Sequence, residues 1–203
     1  RIYAALDLGT TSCRLLIASL KDHEAKGHAF SAPALKIFDS FSRIVRLGEG
    51  VSATGKLSED AMARTRSALA ACQKKLSRYP IHKARFVATE ACRRASNGPA
   101  FLEQIRQQMD LPIEIISNEQ EAHLAFLGCA SLLTGSSERA LVFDIGGGST
   151  EVMWVDLGHT EKNSAIHPIT DWLSIGYGVM NLADKFGGSQ LADLAFGDMV
   201  AFI

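Results

Sequence analysis

Two stretches of this chain carry the same signals in the same order. Asp7-Leu8-Gly9, closing an apolar run, has its counterpart in Asp144-Ile145-Gly146. Leu47-Gly48-Glu49-Gly50-Val51 has its counterpart in Ile175-Gly176-Tyr177-Gly178-Val179. The Gly-x-Gly begins 41 residues after the Asp in the first half and 32 in the second. Asp and Gly are frequent in hairpin turns for local reasons, so one match means little. Two matches in one order point to an internal duplication. The intervening residues agree. Ile2 to Leu8 reads as a buried strand, Cys13 to Leu20 as a second strand and Ala34 to Leu47 as a third strand region. Ala140 to Ile145, Glu151 to Asp156 and Ile166 to Ile175 repeat that series. Such a chain is expected to form two similar α/β lobes whose Asp-Gly loops face one cleft.

Between the repeats the pattern is helical with short strands. Ser58 caps a helix with Glu59 and Asp60 in its first turn, where the helix dipole favours anions. Ala61, Thr65, Leu69, Cys72 and Leu76 follow at helical spacing. Arg85 to Ala88 reads as a strand, and Asn97 to Met109 as a helix with Pro99 near its start. Ile113 to Ile116 is a further strand. Ser117 and Gln120 form a capping box at the head of the next helix. Lys21 to His28 is a polar hairpin loop, and a helix is expected from about Val179 to Phe186. Leu191, Leu194, Ala195, Met199, Phe202 and Ile203 lie near helical spacing, and their apolar face needs a cover. The lobes are placed at 1–118 and 119–203. The second is expected to be truncated and completed by further chain or another subunit. The first residue is Arg1, so more chain is expected upstream as well.

Composition excludes several classes. Apolar residues make up 47% and charged residues 21% of the 203, which no disordered chain matches. No run approaches the roughly 18 apolar residues of a membrane span. The net charge of −1 hides an uneven distribution. Residues 62–106 hold 10 basic and 2 acidic residues, and residues 107–203 hold 3 basic and 13 acidic. A basic middle suggests an anionic ligand, although Arg64, Arg66, Lys74 and Lys75 read as a solvated helix face. Cys13, Cys72, Cys92 and Cys129 form no Cys-x-x-Cys pair, and the six histidines are scattered, so zinc is not expected. Widely spaced cysteines without a signal peptide read as reduced thiols of a cytoplasmic protein.

The chemistry concentrates in the repeated loops. Gly146-Gly147-Gly148-Ser149-Thr150 lets backbone N–H groups approach an anion, and its hydroxyls add donors. Gly9-Thr10-Thr11-Ser12 has the same character. A carboxylate heading such a loop repels phosphate directly but suits a bridging Mg²⁺. Asp7 and Asp144 are therefore candidate metal ligands, the other reading being Asx-turn residues. Arg93 and Arg94 offer donor forks for phosphate oxygens, though one of them is expected to be merely solvated. Glu119 and Glu121 lie in the first turn of the Ser117-capped helix, where the dipole alone favours acids. A carboxylate there can also orient and deprotonate water. His123 is another possible base.

With these motifs in place, the chain resembles the exopolyphosphatase / guanosine pentaphosphate phosphohydrolase (Ppx/GppA) family. That family falls within the actin-like ATPase and sugar-kinase superfamily, and the resemblance spans nearly the whole chain. Asp7-Leu8-Gly9-Thr10-Thr11-Ser12-Cys13-Arg14 is similar to the family's first phosphate loop, a motif shared across the superfamily. Arg46-Leu47-Gly48-Glu49-Gly50 with Gly55-Lys56-Leu57-Ser58 is similar to its next block. Ala88-Thr89-Glu90-Ala91-Cys92-Arg93-Arg94-Ala95 with Asn97, and Ile116-Ser117-Asn118-Glu119-Gln120-Glu121-Ala122-His123, resemble the more specific blocks. Asp144 to Glu151 reproduces Asp-Ile-Gly-Gly-Gly-Ser-Thr-Glu without change.

The resemblance implies duplicated ribonuclease H-like lobes with mixed five-stranded sheets and a phosphate-binding cleft between them. It implies that Glu121 is the catalytic base and that Arg93 holds the terminal phosphate. Gly9, Thr10, Thr11, Ser12 and Arg14 would bind phosphate from one lobe, and Gly146, Gly147, Gly148 and Ser149 from the other. Asp144 aligns with a residue near the metal. The implied reaction is Mg²⁺-assisted release of terminal phosphate from inorganic polyphosphate or guanosine pentaphosphate. No nucleic-acid or membrane partner is expected, and a homodimer is expected for the full-length form. The chain departs from the pattern at Asn118, Gln120 and His123, where the family usually has Gly, Glu and Arg. Two alternatives follow. One is a non-catalytic alarmone-binding sensor of the same fold, kept open by the departures at Gln120 and His123. The other is a sugar-kinase-like phosphotransferase, against which the Arg93 and Glu121 blocks argue.

Overall fold

The structure, a computed structural model, describes residues 1–20, 35–133, 138–157, 169–186 and 193–202. Its organising unit is a hairpin. Strand β1 (Ile2–Leu8) pairs antiparallel with β2 (Ser12–Leu20), setting Asp7 opposite Arg14 and Leu8 opposite Cys13. Strand residues alternate between faces, so Ala4, Leu6, Leu8, Cys13, Leu15 and Ile17 share one face, and all are buried. Strand β3 (Leu35–Ile44) flanks β2 antiparallel, while β4 (Ile81–Ala88) and β5 (Glu114–Ile115) add parallel to β1. The order is β3-β2-β1-β4-β5, a mixed five-stranded sheet.

Two strand boundaries differ from the sequence expectation by three residues or more within the described residues. Strand β4 starts at Ile81, four residues before the expected Arg85, because Ile2 to Leu6 of β1 provide pairing partners for it. Its exposed residues His82 to Arg85 hide that strand from any hydrophobic pattern. Strand β3 ends at Ile44, short of Leu47. There the chain leaves the sheet to wrap the first loop: the N–H groups of Val45 and Arg46 both donate to the Thr11 carbonyl at 2.9 Å, and that of Gly48 to the Thr10 carbonyl at 3.0 Å. The polar loop Lys21–His28 and residues 166–168 of the expected third strand of the second half lie outside the described residues.

Helix α1 (Val51–Thr54) follows the Gly-x-Gly. Parallel neighbours require a crossover, and α2 (Glu59–Leu76) supplies it. The Ser58 side chain accepts from the Ala61 N–H as its cap, and the helix buries Ala61, Thr65, Ala68, Leu69 and Cys72. The Sγ atoms of Cys13 and Cys72 meet at 4.0 Å as buried free thiols. After β4 comes a single-turn helix, α3 (Glu90–Arg94), and then α4 (Gly98–Met109), which buries Phe101, Leu102 and Ile105. Asn97 bridges the segment between them to the loop before α2: its side chain accepts from the Leu57 N–H at 2.8 Å and donates to the Leu57 carbonyl at 3.0 Å.

The second lobe repeats the plan. Strands β6 (Arg139–Ile145), β7 (Thr150–Asp156) and β8 (Ile169–Ile175) form an antiparallel sheet in the order β6-β7-β8. The two hairpin turns close alike, Gly9 N–H onto the Ser12 carbonyl and Gly146 N–H onto the Ser149 carbonyl, both at 2.9 Å. Helix α6 (Val179–Phe186) follows the second Gly-x-Gly as α1 follows the first, and α7 (Asp193–Phe202) comes after it. Helix α5 (Asn118–Cys129), headed by the expected capping box, packs Ala122 and Phe126 on Met153 and Val155 of β7. The opposite face of that sheet shows Leu141, Phe143, Ile145 and Trp154, all exposed. Their counterparts in the first lobe, Ala4, Leu6, Leu8 and Ile17, lie in the core that α2 covers. The fold is thus a duplicated α/β architecture whose second lobe contributes three strands and remains incomplete within these residues. Among the described residues no helix is long and apolar enough to cross a membrane.

Candidate active site

The two hairpin loops meet. Cβ atoms added to Gly147 or Gly148 would strike Thr11 and Thr10 of the first loop, and at Gly148 also the Glu90 side chain. Only glycine allows this approach. The Thr11 hydroxyl is buried at the contact with no hydrogen-bond partner. A buried hydroxyl without a partner is costly, so Thr11 is poised to donate to an oxygen brought between the loops. The second loop is held from behind by Asn181, whose amide donates to the Gly148 and Gly176 carbonyls at 3.0 and 3.1 Å and accepts from the Gly178 N–H at 2.6 Å. Gly9 and Gly146 close the turns, and Ser149 is buried beside Glu151.

A cavity of about 730 Å³ has Asp7, Arg14, Thr89, Ile116, Glu121 and Asp144 in its lining, with apolar residues such as Leu16, Phe41 and Leu124. The carboxylates from the two lobes therefore face the same space. Glu121, from the first turn of α5, accepts from Arg93 Nη2 at 3.0 Å. Burial pushes its carboxyl up to about 7 despite that bond, and the neighbouring Glu151 and Asp7 charges add to the shift. Burial also raises Asp7, with Arg14 opposing and Asp144 reinforcing. Glu151 is raised by burial as well, against the hydroxyls of Ser149 and Ser174. The Ser174 hydroxyl lies 2.9 Å from the Glu151 carboxylate and accepts from the Asn118 amide at 2.7 Å. Asn118, one of the departures from the family pattern, thus ties the start of α5 to β8.

Arg93 does not stand alone before the loops. It is held by Glu90, by Glu121 and by the Ile116 carbonyl. Arg94 is exposed but reaches across to the Gly176 carbonyl at 3.4 Å. It lines a second cavity of about 1020 Å³, together with Glu49, Glu90, Tyr177, Asn181 and Lys185. Gln120 and His123 line a third space, about 470 Å³, with Glu119, Arg85 and Trp172. The Gln120 side chain accepts from the Ser117 N–H at 3.1 Å, completing the capping box. Sequence reasoning did not single out Glu90, Asn181 or Ser174. Their partners lie 3, 33 and 23 residues away, and no local pattern announces them.

Among the described residues no group of three or more His, Cys, Asp or Glu side chains is arranged to hold a metal. The pair Asp7 and Asp144 still fits Mg²⁺, which commonly takes one or two carboxylates and fills its other positions with water and phosphate oxygens.

Comparison with known proteins agrees with this architecture. A profile of the Ppx/GppA phosphatase family matches residues 23–194. A relative named Exopolyphosphatase 2, from Mycobacterium tuberculosis, is 37% identical over 155 residues, covering 74% of this chain and 47% of the relative. The crystal structure of the Aquifex aeolicus member of the Ppx/GppA family superposes with a TM-score of 0.71 at 30% identity, covering 99% of this chain and 60% of that one. An exopolyphosphatase from Cytophaga hutchinsonii shares the fold with a TM-score of 0.83 at 22% identity, over 100% of this chain and 59% of the other. The chain spans about half the length of the curated relative, 47%.

Proposed function

Because the chain belongs to the Ppx/GppA phosphatase family, we propose that it is the catalytic portion of a phosphohydrolase that releases terminal phosphate from inorganic polyphosphate. The observation that carries this is the placement of Glu121: a half-buried carboxylate, bonded to Arg93, in one cavity with Asp7 and Asp144 of the two loops. In this reading Glu121 accepts a proton from the attacking water as the water oxygen bonds to the terminal phosphorus. The bridging oxygen leaves with the shortened chain. Gly9 and Gly146 close the turns, and backbone N–H groups of Thr10 to Ser12 and Gly147 to Ser149, the Thr11 hydroxyl and the Arg14 guanidinium hold the phosphate oxygens in place. Arg93 faces the terminal group. Asp7 and Asp144 would hold Mg²⁺, which supplies charge neutralisation for the phosphates when bound. Catalysis then rests on positioning and electrostatics, as in phosphoryl transfer generally.

Polyphosphate is preferred as substrate because the curated relative is named an exopolyphosphatase. Guanosine pentaphosphate remains the second substrate, since the same loops would serve it. Gln120 and His123 line a different cavity from Glu121, which favours turnover over a binding-only sensor. The lobe boundary is proposed to lie at 118–119, where α5 begins. The free cysteines fit a reducing cytoplasm, and the full-length form is proposed to be a homodimer. The test is phosphate release by the full-length chain with Mg²⁺, offered long polyphosphate, guanosine pentaphosphate and ATP side by side. Release from polyphosphate that disappears when Mg²⁺ is chelated is expected. Release from none of the three by a folded protein would sink the reading.

A further inference from the structure

An arginine has five N–H donors, and in Arg93 four are committed. Nε and Nη2 both donate to Glu90 Oε2, at 3.1 and 2.7 Å. Nη2 also donates to Glu121 Oε2 at 3.0 Å, and Nη1 to the Ile116 carbonyl at 2.6 Å. One Nη1–H is left. Glu90 is itself fixed. It is 7% exposed, and its Cγ lies 3.1 Å from where a Cβ on Gly148 would stand, so its stem packs on the second phosphate loop. Its other oxygen lies 3.8 Å from Arg94 Nε. Glu90 is the carboxylate that touches both the arginine and the loop.

We propose that Glu90 is the positioning residue of the site, holding the Arg93 guanidinium edge-on so that it cannot close bidentately on Glu121. The alternative geometry is a strong one. A free guanidinium beside a buried carboxylate favours the two-pronged pair, which is more stable than a single bond. That pair would occupy both the base and the donor meant for phosphate. With Nε and Nη2 anchored on one oxygen of Glu90, Arg93 gives Glu121 a single bond. Nη2 can then pass from Glu121 to a phosphate oxygen without the side chain leaving its seat. The packing of Glu90 on Gly148 ties this arrangement to the loop from the other lobe. The inference rests on the proposed hydrolase reading for its catalytic consequence, but the anchoring itself does not.

The test compares Glu90→Ala with Glu90→Gln in the full-length chain. Both bonds from Arg93 end on one oxygen, so the glutamine carbonyl can accept them with the charge removed. Glu90→Ala is expected to lower kcat at least about tenfold with KM changed less than about threefold, the sign of an interaction used in the transition state. Glu90→Gln is expected to stay within about threefold of the parent in both constants. Nitrogen-15 NMR gives a readout independent of turnover. The Arg93 Nε–H signal, assigned by its loss in Arg93→Lys, should persist in Glu90→Gln and vanish into exchange in Glu90→Ala. A Glu90→Ala enzyme that turns over like the parent, a Glu90→Gln enzyme as weak as Glu90→Ala, or an unchanged Nε–H signal would overturn the proposal. If the parent releases no phosphate, the hydrolase reading fails, and the NMR comparison still decides whether Glu90 anchors Arg93.

Discussion

Glu121 is a carboxylic acid placed where its ionisation is costly. Its pKa moves from the ordinary 4.5 to about 7, with burial as the main cause. The folded chain therefore binds more protons than the unfolded chain between these values, and folding stability falls as pH rises through that window. Above pH 7 the full cost applies, on the order of 3 kcal/mol for a shift of this size. Glu121→Gln is thus predicted to be more stable than the parent by about 1–3 kcal/mol at pH 8 and level with it at pH 5, read from urea unfolding at each pH. A variant less stable than the parent at pH 8 would contradict this origin of the shift. If Glu121 is the base proposed above, turnover needs it ionised, and stability and activity pull on this residue in opposite directions. The spacing from Ser117 placed Glu121 in a first helical turn, but only the family pattern distinguished it from Glu119. The structure adds the physical difference: Glu121 faces the cavity of Asp7 and Asp144, while Glu119 faces the one with Trp172. Glu90 stayed hidden because a glutamate opening a helical turn looks ordinary until its partner Arg93 and its neighbour Gly148 are seen together.

At the level of elements, the repeated motif is the same in both lobes but its glycines serve different ends. Gly50 adopts φ +75° with open space around it, so it is needed for backbone conformation. A Cβ at Gly178 would strike the Gly146 carbonyl oxygen and lie 2.6 and 2.7 Å from Gly147 C and Gly148 N. These are backbone atoms of the second hairpin loop, and they cannot rotate aside. Gly178→Ala is predicted to cost at least about 2 kcal/mol in stability and to weaken binding of tripolyphosphate, measured by thermal unfolding and calorimetry. Gly50→Ala should cost about 1 kcal/mol with binding little changed. Equal effects of the two substitutions would contradict the assignment. The pairing of Asp-x-Gly with Gly-x-Gly was legible in the sequence, as were the hairpins, because strand alternation and turn residues are local. The start of β4 was not. Its residues His82 to Arg85 are exposed and, apart from Ala84, polar, and the strand exists because β1 lies beside it.

For the molecule as a whole, duplication explains both what is present and what is uncovered. The first lobe buries Leu6, Leu8 and Ile17 beneath α2, while the second leaves Phe143, Ile145 and Trp154 exposed at the matching positions. The chain covers about three-fifths of the solved relatives, 60% and 59% of those compared. The site itself needs both lobes, since Asp7 and Arg14 come from one, Asp144 from the other, and Glu121 from the helix between their sheets. The central claim is that this shared cavity hydrolyses polyphosphate with Glu121 as its base. The most direct measurement takes full-length parent and Glu121→Gln protein and determines polyphosphate binding and phosphate release on the same samples at pH 8. The account predicts that binding is retained while release falls by about 10²–10⁴-fold, the usual worth of a general base. Release that survives the substitution at the parent rate would show that Glu121 is not the base, whatever the resemblance of the fold.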